Sequence, residues 1–258
     1  MTNVRSAAIV IVAAMTCGVA AQTPRPEKPQ VPKGFTKLFN GKDLAGWRGR
    51  QPNYNPAEEQ KLSKEALAEK QAQWNTARDL HWKVDGAKQE IVSDGQSPQL
   101  ATAKDYGDFE MYVDWLMVSH NGDSGIYLRG YPQVQVWDPD NPREVRNGAQ
   151  KGSGALWNNN EPNPGKWPLV KADNPVGEWN TFRIKMVGSR VWIWLNDKQT
   201  VDGQVLENFF ARTEPIVARG PIELQTHGSE IRFRNLFIRE ISAAESKKTL
   251  DQIPTASR

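Results

Sequence analysis

Residues 220–241, GPIELQTHGSEIRFRNLFIREI, carry the pattern that decides the fold. Ile222, Leu224 and Thr226 alternate with Glu223, Gln225 and His227, the period of two that marks a strand with one face in a core. Gly228 and Ser229 offer a turn, after which Ile231 and Phe233 resume the apolar rhythm with Arg232 and Arg234 opposite. The stretch reads as a β-hairpin. Its outward face bears a carboxylate, an amide, an imidazole and guanidinium groups in place of the Lys, Glu, Thr and Ser of an ordinary solvated face.

Working outward, short runs of the same kind recur at 36–39, 82–84, 90–92, 100–102, 108–117, 125–128, 134–137, 179–186 and 190–195, separated by Gly, Asn, Asp and Pro. That is more strand than one open sheet holds, so the expected architecture is all-β, an antiparallel two-sheet sandwich. With 258 residues, 38% of them hydrophobic, one large domain over 35–242 is expected rather than two small ones. One helix interrupts the strands. Asn55 fits an N-cap with Pro56 and Glu58 behind it, and Ala, Glu, Lys and Gln dominate as far as Arg78. Its apolar stripe, Leu62, Ala66, Ala68 and Trp74, is thin, which predicts an inserted helix on the surface. The polar segment 139–175 shows no strand or helix period yet holds Trp157 and Trp167, and long loops of that kind tend to be functional.

The first residues read as an address. Arg5 precedes an apolar run at 7–15, and Gly18, Ala20 and Ala21 follow, which predicts a signal peptide over 1–21 and an exported protein, periplasmic or secreted. Cys17, the only cysteine, falls inside it, so no disulfide is expected in the mature chain. Residues 22–34 form a Pro-rich leader, and 243–258 a C-terminal tail. No segment has the ~20 apolar residues of a membrane span. The 33 basic and 30 acidic residues are scattered, which gives no nucleic-acid footprint. Ten Trp in so polar a chain stand out, because indole faces bind sugar rings as readily as they fill cores.

Two further strands sort their residues as 220–241 does. In GDSGIYLRG, Tyr127 and Arg129 alternate with Ile126 and Leu128; in YPQVQVWD, Gln133, Gln135 and Trp137 alternate with Val134 and Val136. Planar amides, indoles and guanidinium groups suit hydroxyl-rich rings. These strands also carry a resemblance. FTKLFNGKDLAGW, GDSGIYLRGYPQVQVWD, GEWNTFRIKMVGSRVWIWLNDK and GPIELQTHGSEIRFRNLFIREI resemble, in order over 35–241, the motifs of the 3-keto-disaccharide hydrolase domain family. The resemblance implies a concanavalin A-like lectin/glucanase jelly roll with one concave ligand face, and exported proteins acting on sugars oxidised to a ketone at C3. The chain departs from that pattern at Asp123, where Asn is frequent, at Gln133, where Glu is frequent, and at Thr226, where an acidic residue is frequent. A carboxylate common in the family is thus an amide at Gln133, and a role resting on that carboxylate is not carried over.

Ordinary glycoside hydrolysis uses two carboxylates flanking the bond, and no strand here carries such a pair. A 3-keto sugar needs less. The ketone acidifies the C2 proton, so one base can form an enolate and the oxygen on C1 can leave by β-elimination, with water adding back. His227 fits the base, Arg129 with Gln135 the enolate oxygen, and Glu223 the acid. Tyr127, Gln133, Gln135, Trp137, Trp157, Gln225 and Arg234 are the expected sugar-binding groups. The alternative is a non-catalytic lectin-like module holding a glycan on Trp157, Trp167, Gln133 and Gln225. His81 and His120 read as structural. No cofactor is required, and no metal site is assigned. Asp138, Asp140 and Asn141 make an oxygen-rich loop of the sort that holds Ca²⁺, but turn formation explains the cluster equally well.

Overall fold

The computed structural model describes residues 30–253. The expected signal peptide, Cys17 and most of the Pro-rich leader lie outside the described residues. The strands are β1 Thr36–Lys37, β2 Trp47–Arg50, β3 Trp82–Asp85, β4 Glu90–Ser93, β5 Gln99–Thr102, β6 Phe109–Met117, β7 Asp123–Leu128, β8 Tyr131–Trp137, β9 Asn180–Val187, β10 Arg190–Leu195, β11 Lys198–Val205, β12 Glu223–Leu224 and β13 Ile231–Glu240. The helices are α1 Pro56–Glu59, α2 Lys64–His81 and α3 Ala243–Asp251.

The strands form two antiparallel sheets, as the period-two runs predict. The larger has the order β11-β10-β9-β6-β13-β4-β3 with β1 also paired to β13, and the smaller has the order β2-β5-β12-β7-β8. Leu224 pairs with Leu100 and Ile126, and Ile126 with Val134, so one row of the smaller sheet is apolar from strand to strand. That row faces Met111, Val113, Phe182, Ile184, Ile193 and Phe233 of the larger sheet, all fully buried. Each such side chain contributes about 1.5–3 kcal/mol. The result is the expected jelly-roll sandwich.

The stretch 220–241 is not a hairpin. β12 pairs with β5 and β7 in the smaller sheet, whereas β13 pairs with β4 and β6 in the larger. Between them the chain crosses from sheet to sheet, held where the Ser93 hydroxyl donates to Thr226 Oγ1 at 2.8 Å and Gly228 N–H to Gly95 O at 2.8 Å. Alternation reports which face of a strand is buried and says nothing of its partner. Two strands facing each other across a core alternate as a hairpin does.

The single expected helix is two. Asn55 caps α1 by accepting from Ala57 N–H, and Ser63 caps α2 by accepting from Ala66 N–H. A second strong cap restarts the helix. α2 also does more than lie on the surface, because it closes the open edge at β2. Gln71 Nε2 donates to Gly49 O at 2.9 Å, Asn75 Oδ1 accepts from Gly49 N–H at 3.0 Å, and Arg78 Nη1 donates to Trp47 O at 2.7 Å. These side chains satisfy backbone groups that an edge strand leaves unpaired. Gly49 is required for the approach, since a Cβ there would lie 2.1 Å from Trp74 O. In the expected tail, Ser242 caps α3 by accepting from Glu245 N–H.

Candidate functional site

Opposite the apolar row, the smaller sheet carries a second, polar face, most of whose side chains are buried. Glu223 pairs with Ala101 and Tyr127, Gly125 with Gln135, Asp123 with Trp137, and Arg50 with Gln99. Just past β12, Gln225 N–H donates to Gly125 O at 2.9 Å, which places its side chain in the same row. The expected Tyr127, Gln133, Gln135, Trp137, Glu223 and Gln225 therefore share one face.

A chain of polar contacts runs from the exposed His227 inward to the buried Gln135 and Gln133. His227 Nδ1 lies 3.1 Å from Asp123 Oδ2, Gln135 Nε2 donates to Asp123 Oδ1 at 2.7 Å, and Gln133 Nε2 donates to Gln135 Oε1. The imidazole is 64% exposed. Its hydrogen bond to Asp123 raises the His227 pKa, and Glu144 adds to the effect. With Nδ1 turned to Asp123, Nε2 is the ring nitrogen on the other side of the imidazole.

Around this chain lie buried acceptors without donors. Gln99 Oε1, Gln133 Oε1, Gln225 Oε1 and Glu223 Oε2 have no hydrogen-bond partner among the described residues. An unsatisfied buried acceptor costs about 1–3 kcal/mol. These four acceptors belong to side chains of the same sheet face. Gly125 leaves room between two of them, since a Cβ there would sit 2.7 Å from Gln133 Oε1 and 3.0 Å from Gln225 Oε1. At the β8 edge Trp137 donates from Nε1 to Gly152 O at 2.9 Å and meets Trp157 edge to face at 6.0 Å. Trp157, half-buried, donates to Asn147 O. Residues 154–156 run along β8, with Gly154 N–H donating to Gln135 O and Gln135 N–H to Ala155 O. The polar segment 139–175 thus walls this edge of the face.

Glu223 reaches the face but lies beneath α1, fully buried. Arg50, also fully buried, donates to Glu223 Oε1 at 2.6 Å, to Glu59 Oε2 at 2.5 Å and to Tyr54 O at 2.7 Å. Arg48 holds Glu59 from outside at 2.8 Å. Burial pushes the Glu223 carboxyl up, against the opposing pull of Arg50. The expected strands do not include Trp47–Arg50, so the sequence does not bring Arg50 and Glu59 to Glu223. The alternation of Arg48 and Arg50 with Trp47 and Gly49 was the signal available.

Arg129 and Arg234 are corrections, because neither reaches the face. Arg129 and Gly130, at φ 54° and 80°, form the two-residue turn between β7 and β8, and positive φ at both positions is what such a hairpin turn requires. Alternation ends there, and the guanidinium points to Gly107 O at 2.9 Å and Asp108 Oδ1 at 2.8 Å. Arg234 belongs to the larger sheet, where it bonds Asp114 at 3.4 Å and stacks on Trp179 at 3.9 Å. Trp167 packs against Gly148 and lies under Lys151 Nζ at 3.4 Å. His81 bonds Asp94, and His120 bonds Asp138. The Asp138 oxygens also accept from Asn121 and Asp140 N–H, and Asn141 Oδ1 from Arg143 N–H, so these oxygens shape a turn. Among the described residues, no group of three or more His, Cys, Asp or Glu could hold a metal ion, and no helix is long and apolar enough to cross a membrane.

The family model for the 3-keto-alpha-glucoside-1,2-lyase-like domain matches residues 34–239. The chain belongs to that family. The 3-keto-disaccharide hydrolase of Bacteroides thetaiotaomicron is 24% identical to it over 85% of this chain and 83% of the relative. Two Parabacteroides distasonis structures, each solved as a candidate glycosyl hydrolase, share the fold. One is 25% identical with a TM-score of 0.55 over 81% of this chain and 94% of that chain. The other is 24% identical with a TM-score of 0.52 over 86% and 95%. The family match and the relative mark this chain as a carbohydrate-active, hydrolase-like protein.

Proposed function

We propose that the protein is an exported enzyme that cleaves the glycosidic bond of 3-keto-glycosides, and that the outer face of the smaller sheet is its active site. The observation that carries this reading is the pairing of an exposed His227–Asp123 couple with buried acceptors that lack donors, Gln99, Gln133 and Gln225. Sugar hydroxyls supply those donors. Neutral His227 takes the C2 proton through Nε2, and the electrons of the C2–H bond form the enolate of the C3 ketone. As the ketone reforms, a C1=C2 double bond forms and the C1–O bond breaks. The leaving oxygen takes the proton that His227 received from C2, which returns the imidazole to its neutral form, and water adding across C1=C2 gives the 3-keto sugar. Asp123 holds the ring and favours its charged form, a positioning role. Arg50, Glu59 and Glu223 lock α1 over the end of the face.

Incubation with 3-keto-trehalose or a 3-keto-glucoside is the test, with release of 3-ketoglucose or its 2-hydroxyglucal expected. Full turnover by His227→Ala would sink the assignment of the base. A lectin-like reading is favoured by one observation, the amide at Gln133 where the family frequently has a carboxylate. Binding of the 3-keto sugar without any product would select it.

A further inference from the structure

A second groove lies on the outer face of the other sheet, between β9, β10, β11 and the end of α3, with a volume of about 860 Å³. Its floor is aromatic. Trp192 and Trp194 stand two residues apart on β10, both half-buried, and such neighbours project from one face about 6.6 Å apart. Core positions on this strand are filled by Val191, Ile193 and Leu195, so neither indole is needed to fill the sandwich. Gly203, at φ 60°, lets Trp192 lie close, since a Cβ there would meet the indole at 3.0 Å.

The walls are polar. Gln199 Nε2 donates to Asp202 Oδ1 at 3.0 Å and Gln204 Nε2 to Asp202 O at 2.9 Å. Both amide oxygens are left without a donor among the described residues. Arg183, Lys185, Arg190 and Asp202 are among the residues that line the groove. Arg183 is held by Glu110 and stacks on Trp194 at 4.7 Å. Lys185 lies 5.6 Å from the Trp192 ring centre and donates to Thr249 Oγ1, with no carboxylate within bonding distance among the described residues.

Indoles for ring faces, amide oxygens for hydroxyls and the ammonium of Lys185 define one chemistry. We propose that this groove is a second carbohydrate site, separate from the His227 face, and that it binds a glycan chain bearing carboxylates. The sugar rings stack on Trp192 and Trp194, the hydroxyls donate to Gln199 and Gln204, and Lys185 meets the carboxylates.

Calorimetric titration of the protein with oligogalacturonate tests this, with a dextran oligomer as the neutral control. Measurable binding to the acidic chain that weakens as salt rises is expected. Trp192→Ala/Trp194→Ala should lose at least tenfold in affinity, and Lys185→Gln several-fold with a shallower salt dependence. Both variants should keep the wild-type melting temperature and 3-keto-glycoside turnover, whereas His227→Ala should keep oligogalacturonate binding. Failure of this inference is thereby separable from failure of the catalytic reading. Absence of binding, equal binding by the double-Trp variant, or binding only of dextran would overturn it.

Discussion

At the residue scale, the protonation of His227 sets the expected pH dependence. A general base acts in its neutral form, and the pKa of His227 is raised above 6.5 by its hydrogen bond to Asp123. Turnover of a 3-keto-glycoside should therefore rise with pH through a midpoint above 6.5. Asp123→Asn removes the carboxylate and should move that midpoint down; an unmoved profile would show that the couple does not report on catalysis. His227→Ala should cost about 10²–10⁴-fold in kcat. At Gly125, alanine places a Cβ 2.7 Å from Gln133 Oε1, so Gly125→Ala should raise KM more than it lowers kcat, read from initial rates. His227, Gln133, Gln135 and Gln225 were legible because each sits where alternation holds. Arg129 was not, since it occupies a turn whose φ 54° breaks that alternation.

At the element scale, the cluster of Arg50, Glu59 and Glu223 ties β2, α1 and β12 together through wholly buried charge. Removing one partner of a buried ion pair leaves the others uncompensated and costs about 3–5 kcal/mol. Arg50→Ala should lower the urea midpoint accordingly, and adding Glu223→Gln should recover part of the loss. Equal midpoints for Arg50→Ala and the double variant would mean that the uncompensated Glu223 carboxylate carries none of the loss. The strands and the cap at Asn55 were readable from local chemistry. The pairing of β12 with β5 and β7 was not, because register across a long sequence separation leaves no local trace.

At the scale of the whole molecule, the two-sheet sandwich followed from the number of period-two runs, while the closure of its edge by α2 depends on side chains that meet only once the chain is folded. The same long-range contacts govern stability in acid. Burial alone would raise the pKa of Asp138, but N–H groups of Asn121 and Asp140 with His120 outweigh it and hold the carboxyl below 3.8. Hydrogen bonds from Lys104 and Arg219 hold Glu240 below 4.5, and those from Arg239 do so for Glu245. A carboxyl whose pKa is lower folded than unfolded stabilises the fold above its unfolded value and loses that contribution as pH falls through the folded one. Burial raises Glu223 and Asp173 and acts with the opposite sign, favouring the fold as pH drops. The lowered group is the more numerous and is spread over both ends of the sandwich, so the urea midpoint should fall as pH goes from about 5 to about 3. Asp138→Asn should start from a lower midpoint near neutral pH and decline less steeply in acid. A wild-type midpoint that is flat or rising over that range would give the raised carboxyls the larger share.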